Sequence, residues 1–181
     1  MRDLESLITT LRDTFNKHAR ELELWTPAIP TGADPQTLDL DTPPGVAALL
    51  SLSDGPYLDH STQIYSSGDL SWQQVADNLV DAELPDGSTL TDASRFFCFG
   101  QACQNPLLVD VTDGSVWRVP DDGVVWYTGC RLERIADSVE EFFMDWVASP
   151  KYQDLAGLDP DELESSDWYR LLRLSGLAPL S

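Results

Sequence analysis

The stretch Phe96-Phe97-Cys98-Phe99-Gly100, then Pro106-Leu107-Leu108-Val109-Asp110, then Ser115-Val116-Trp117-Arg118-Val119, and finally Ala136-Asp137-Ser138-Val139-Glu140-Glu141-Phe142-Phe143, decides the fold class. Three short apolar runs are separated by turn chemistry and lead into an amphipathic segment, the order of an antiparallel meander covered by a helix. Asp113-Gly114 between two apolar runs is a hairpin signal, and Asp122-Gly123 after Pro120-Asp121 is a second. The pattern predicts strands over 96–100, 106–111, 115–119, 123–128 and 131–135. Their connections are too short for parallel crossovers, so the sheet is antiparallel. Alternation puts Val116 and Arg118 on one face and Trp117 and Val119 on the other.

Working outward, Leu4, Leu7, Ile8, Leu11, Phe15 and Leu22 recur at helical spacing and predict a first helix over 4–24, stopped before Pro27. Residues 27–41 carry Pro27, Pro30, Gly32 and Pro35 and read as an irregular connection. Thr42 caps a helix predicted over 43–53, with Pro43 at its first position and Gly55 as its left-handed exit. Gln63-Ile64-Tyr65 reads as a short strand. Residues 71–81 read as a helix with Trp72, Val75, Ala76 and Leu79 inward. A helix over 137–148 starts in a capping box of Asp137 and Glu140. Beyond Pro150 the chain turns acidic, with a helix near 167–173 whose apolar residues suit docking. The expectation is an α+β fold, an antiparallel β-meander of about five or six strands flanked by α-helices. Residues 1–150 form one such domain, and residues 151–181 an acidic helical extension docked on it.

Thr42-Pro43-Pro44-Gly45-Val46-Ala47-Ala48-Leu49-Leu50-Ser51-Leu52-Ser53-Asp54-Gly55 resembles the short helix of the SUKH superfamily (SMI1/KNR4-like), with its proline entry, apolar core and Ser-Asp-Gly exit. The meander from Phe96 onward resembles that family's second half, so the likeness covers roughly residues 42–148. Gln104 departs from it, standing before Asn105-Pro106 where the family often carries a glycine. The resemblance implies a binding protein, in bacteria frequently an immunity protein that neutralises a polymorphic toxin, often a nuclease or deaminase.

Composition narrows the partner. The 181 residues carry 31 acids against 11 Lys and Arg, a formal net charge of −20. Such a surface repels nucleic acid and anionic membrane faces and favours a basic protein, whose approach long-range attraction speeds. The same bias also fits a proteome adapted to salt or to high-GC coding, since net charge speaks to solubility and association rather than to fold. The three cysteines, Cys98, Cys103 and Cys130, are odd in number and form no CxxC pair, which suits free thiols in a reducing compartment. Met1-Arg2-Asp3-Leu4-Glu5 leads straight into an amphipathic pattern, and no apolar run reaches the ~18 residues of a membrane span. A soluble, cytoplasmic protein is the expectation.

Catalytic constellations are thin. His18 and His60 sit in no HExxH-type spacing, and Asp59-His60-Ser61 is adjacency in sequence, which is not a triad. No phosphate loop or dinucleotide fingerprint is present. Pairs such as Asp110 with Asp113 or Asp121 with Asp122 arise readily among 31 acids, and Asp before Gly is first a turn residue. We therefore expect no catalysis, no metal and no cofactor. The suggestive grouping is aromatic and acidic: Asp54, Tyr57, Asp59, Tyr65, Asp110, Asp113, Asp121, Asp122 and Trp126 as partner-binding residues. Tyr and Trp dominate binding hot spots, and acids around them would meet Lys or Arg. Three functions follow: an immunity protein for a basic toxin, a scaffold or regulatory adaptor of the same superfamily, and an enzyme with an Asp-based site.

Overall fold

Asp3 opens the first helix, α1 (Leu4–His18), by accepting a hydrogen bond from the Ser6 amide at 2.7 Å. Leu4, Leu7, Ile8 and Leu11 form its buried stripe. Beyond Phe15 the inner face offers only the small Ala19 before Leu22, too little apolar surface to carry the helix onward, and it stops at His18 rather than 24. The computed structural model describes residues 3–20, 29–39, 41–75, 78–79, 81–121, 123 and 125–179, so residues 21–24 of the predicted helix lie outside it.

Helix α2 (Pro44–Leu52) starts one residue later than predicted, with Pro43 in the cap position and no side-chain cap. Proline suits these positions because the first turn leaves its amide hydrogens unused. Val46, Leu49 and Leu50 are buried.

The sheet has the order β1 (Gln63–Ile64), β2 (Phe96–Ala102), β3 (Asn105–Asp110), β4 (Val116–Arg118), β5 (Glu133–Ala136), every neighbour antiparallel. It is a five-stranded meander in an α+β fold. Strand β3 is buried from Pro106 to Asp110 because both sheet faces are covered. Leu107, Val109 and Val116 join Phe99, Phe142 and the helices on one side, while Leu108, Trp117 and Val119 join Phe96, Cys98, Leu90 and Leu132 on the other. Phe99 and Phe142 meet edge-on at 5.8 Å, and Phe96 and Trp117 at 5.6 Å.

Two predicted elements on that second face are corrected. Among the described residues of the 71–81 region, Ser71 and Trp72 belong to a 3-10 turn, Leu70–Trp72, Asn78 lies in 3-10 geometry, and Gln73–Val75 are non-helical. Ala76, Asp77 and Val80 lie outside the described residues. Leu70 and Leu79 are buried and the intervening Trp72 is not, so the segment grips the sheet at its two ends and not along a helical stripe. The strand predicted over 123–128 is absent from its described residues, which hold a 3-10 turn at Trp126–Thr128. Instead Glu83 takes the pairing position beside 130–132, its amide bonding the Cys130 carbonyl and its carbonyl accepting from Leu132.

Helix α3 (Val139–Phe142) is capped one residue later than predicted. Ser138 Oγ accepts from the Glu141 amide, and Glu141 reaches back to the Asp137 amide. It widens into a π turn at Phe143–Val147, and the Trp168 indole donates to the Val147 carbonyl at 2.7 Å. Trp168 belongs to α6 (Asp167–Leu174), which buries Trp168, Tyr169, Leu171 and Leu172 in the main core and follows α4 (Tyr152–Ala156) and α5 (Pro160–Leu163). Among the described residues no helix is long and apolar enough to cross a membrane.

Candidate partner-binding surface

Most of the acids singled out from sequence turn out to hold the fold's own loops. Asp110, at the end of β3, is fully buried and ion-paired with Arg95, and its other oxygen accepts from the Thr112 amide and hydroxyl at 2.9 and 2.6 Å. Burial pushes its carboxyl up, but the Arg95 and Thr112 hydrogen bonds outweigh that and hold it below the usual range. A side chain so enclosed presents nothing to a partner, so Asp110 leaves the predicted contact set. Asp113 binds the Ser115 amide and hydroxyl, and Ser115 in turn accepts from the Trp117 indole at 2.8 Å. Those Ser115 bonds hold its carboxyl below the usual range, yet its side chain stays exposed near Arg134.

Asp59 ties its own loop to α4. One oxygen accepts from the Ser61 amide and hydroxyl and the Thr62 amide, and the other accepts from the Tyr152 hydroxyl of α4. Burial, joined by the Asp59 charge, pushes the Tyr152 hydroxyl well above its ordinary value, so it stays protonated and donates. Tyr57, half-buried, stands beside Asp59 on the wall of a cleft of about 370 Å³, closed on its far side by Leu158, Glu162 and Asp167. Burial raises Asp167 against the pull of Arg170. Tyr65 is half-buried, packs on both cores and donates to Gln101, and burial raises it to about 12. It is a packing residue more than a contact one.

Asp121 and Trp126 come together at the tip of the β2–β3 hairpin. Two adjoining clefts of about 310 and 330 Å³ share Cys103 and Asp121. Val119, Leu155 and Asp154 line one, and Trp126 and Tyr127 line the other. Trp126 is half-buried against the second core and meets Tyr127 edge-on at 5.4 Å. Tyr127 and Val125 are 60% and 49% exposed. Arg118, on the first cleft, is held by Glu133 at 2.8 Å and stacks on Trp146. Asp122 lies outside the described residues.

Asp54 accepts from the Ser67 amide and hydroxyl at 2.6 and 3.0 Å, closing the loop after α2 onto the turn after β1. That turn carries Trp72, read from sequence as core but 86% exposed. Its pedestal is firm: Leu70 is buried, and the Gln74 carboxamide pairs with both the amide and the carbonyl of Cys98 at 3.0 and 2.9 Å. The apolar spacing of Trp72, Val75 and Leu79 hid this, because it matches a helical stripe the tertiary packing does not use.

Burial pushes the thiols of Cys98 and Cys103 up to about 12 and 11, far from a nucleophile's range. Among the described residues no group of three or more His, Cys, Asp or Glu is placed to hold a metal ion. No protein-family model matches the chain, and no curated protein does.

Proposed function

We propose that this protein is a non-enzymatic binding module whose partner is a basic protein domain, and that it acts as an immunity protein of SUKH type, neutralising a nuclease- or deaminase-class toxin by direct contact. The observation that carries this is the display of large apolar side chains, Trp72 and Tyr127, in water on a surface of net charge −20. Exposed aromatics supply the desolvation that fixes a complex, and surrounding carboxylates supply the long-range attraction that forms it. The cytoplasm is the compartment this role requires.

The test is co-expression with a panel of basic nuclease- and deaminase-class toxin domains. Protection of the cell and a stoichiometric complex, with an association rate that falls as salt rises, is the expected result. A stable complex with a host protein and no protection would instead assign the adaptor role. Turnover by the purified protein, or stoichiometric tightly held metal, would overturn the binding reading.

A further inference from the structure

Between Arg20 and Arg95 the chain contains no Lys or Arg, while residues 21–94 carry 13 Asp and Glu. Part of this segment is brought together in space by three loops bonded to one another. Thr37 Oγ1 and Ser67 Oγ lie 2.9 Å apart, Ser67 donates twice to Asp54, and the Asp54 amide donates to the Thr31 carbonyl at 3.0 Å. Gly55 lies so close to the Ser66 backbone that a Cβ there would come within 2.8 Å of it. Asp34 and Asp69 are exposed on these loops, and Trp72 follows on the same turn, its amide bonded to the Asp69 carbonyl at 3.0 Å. Arg12 of α1, which reaches this region, is spent on the backbone carbonyls of Ile29, Pro30 and Leu52.

We infer that this three-loop face, with Trp72 projecting from it, is where the partner docks, and that its occupant is a protein surface presenting Lys or Arg around an apolar recess that receives the indole. The inference rests on the protein-binding reading above and names its contact face. Charge complementarity selects the occupant: Asp34, Asp54 and Asp69, which pair with no Lys or Arg among the described residues, attract a basic surface and repel an acidic one. Pre-organisation favours the anchor, because a pedestal tied to β2 through Gln74 fixes the backbone that carries Trp72, so binding has its side chain alone left to order there. The hairpin-tip surface is the weaker candidate. Arg118 lines its first cleft, and Trp126 is half-buried against the core.

An amide-resolved NMR titration of the intact protein tests this, using a peptide of alternating Arg and Leu and a matched peptide of Ser and Leu. With the Arg peptide, the Trp72 indole and the amides of Ser67 and Asp69 should shift first and saturably, and the effect should fade with salt. Trp72→Ala, at a side chain already in solvent, should keep the fold and weaken binding about tenfold. Asp69→Asn should weaken it about two- to threefold and flatten its salt dependence. Saturable shifts confined to Trp126 and Tyr127, or spread evenly over the acids, would overturn this face and leave the protein-binding reading standing. Absence of any saturable response, or equal binding of the uncharged peptide, would remove the basic partner and both conclusions with it.

Discussion

Asp110 and Tyr152 show how single acids and hydroxyls in this chain are committed to the fold. Asp110 is buried opposite Arg95, whose side chain is 34% exposed, so water still reaches the cation if its partner is lost. Asp110→Asn should therefore cost about 2 kcal/mol, less than the ~3–5 typical of a pair buried on both sides. The folded carboxyl lies below its ordinary value of 3.8. Its stabilisation is thus fully present above that value and lost as pH falls through the lowered folded one. Urea unfolding of wild type and variant across a pH series should show a gap that is constant near neutrality and closes in strong acid. A gap that persists at the most acid pH would mean the Arg95 pair is not its source. Tyr152→Phe removes one donor from Asp59, whose remaining three bonds stay, and should cost about 1 kcal/mol in the same measurement.

The β2–β3 hairpin turn carries an energetic oddity. Cys103 and Gln104 have φ of 50° and 65°, a left-handed pair of the kind that two-residue hairpin turns adopt and that glycine or asparagine normally fills. The position is pinned from both sides: the Gln104 amide donates to the Ser61 carbonyl at 2.9 Å, and Cys103 Sγ contacts the end of α4. Gln104→Gly should raise stability by about 0.5–1 kcal/mol, read as a higher unfolding midpoint, because the backbone strain is relieved while the exposed side chain gives up little. Gly157, which ends α4 with φ of 61°, has Cys103 Sγ only 2.7 Å from where a Cβ would sit. Gly157→Ala should destabilise by about 2 kcal/mol, and Cys103→Ala in the same chain should recover the steric part and leave the left-handed strain. Strict additivity of the two would show that the sulfur is not the obstacle. The order of strands was legible at this scale from apolar runs and the Asp113-Gly114 turn, while the Asp122-Gly123 signal led to a strand over 123–128 that its described residues do not form. The irregular cover of the second sheet face was not, because Val75 and Leu79 pack there by tertiary fit while Leu70 joins the other core, and the described residues between them form no continuous helix.

Across the whole molecule, a charge of −20 on 181 residues means that self-repulsion opposes compaction. Screening shortens its reach to roughly 8 Å at physiological ionic strength. The melting temperature should accordingly rise when sodium chloride is added from low salt. A fall would mean that surface ion pairs such as Arg173–Glu164 and Arg134–Asp137 outweigh the repulsion. The same field should make association with a basic partner salt-sensitive in its rate, and truncation of an exposed aromatic should act on dissociation instead.

By itself the sequence determined the α+β class, the antiparallel order of the sheet, the start of α1, the positions of α2 and α6 to within a residue or two, and the excess of acid. These follow from local spacing and turn chemistry, which neighbouring residues in the chain dictate. Only the tertiary structure decided which acids face water. Asp110 and Asp113 look alike beside the same turn, yet one is enclosed by Arg95 and the other is exposed, because enclosure depends on residues brought in from elsewhere. It also decided that Trp72 faces solvent, since a side chain's burial depends on what the rest of the chain packs against it, and no periodicity within its own segment contains that information.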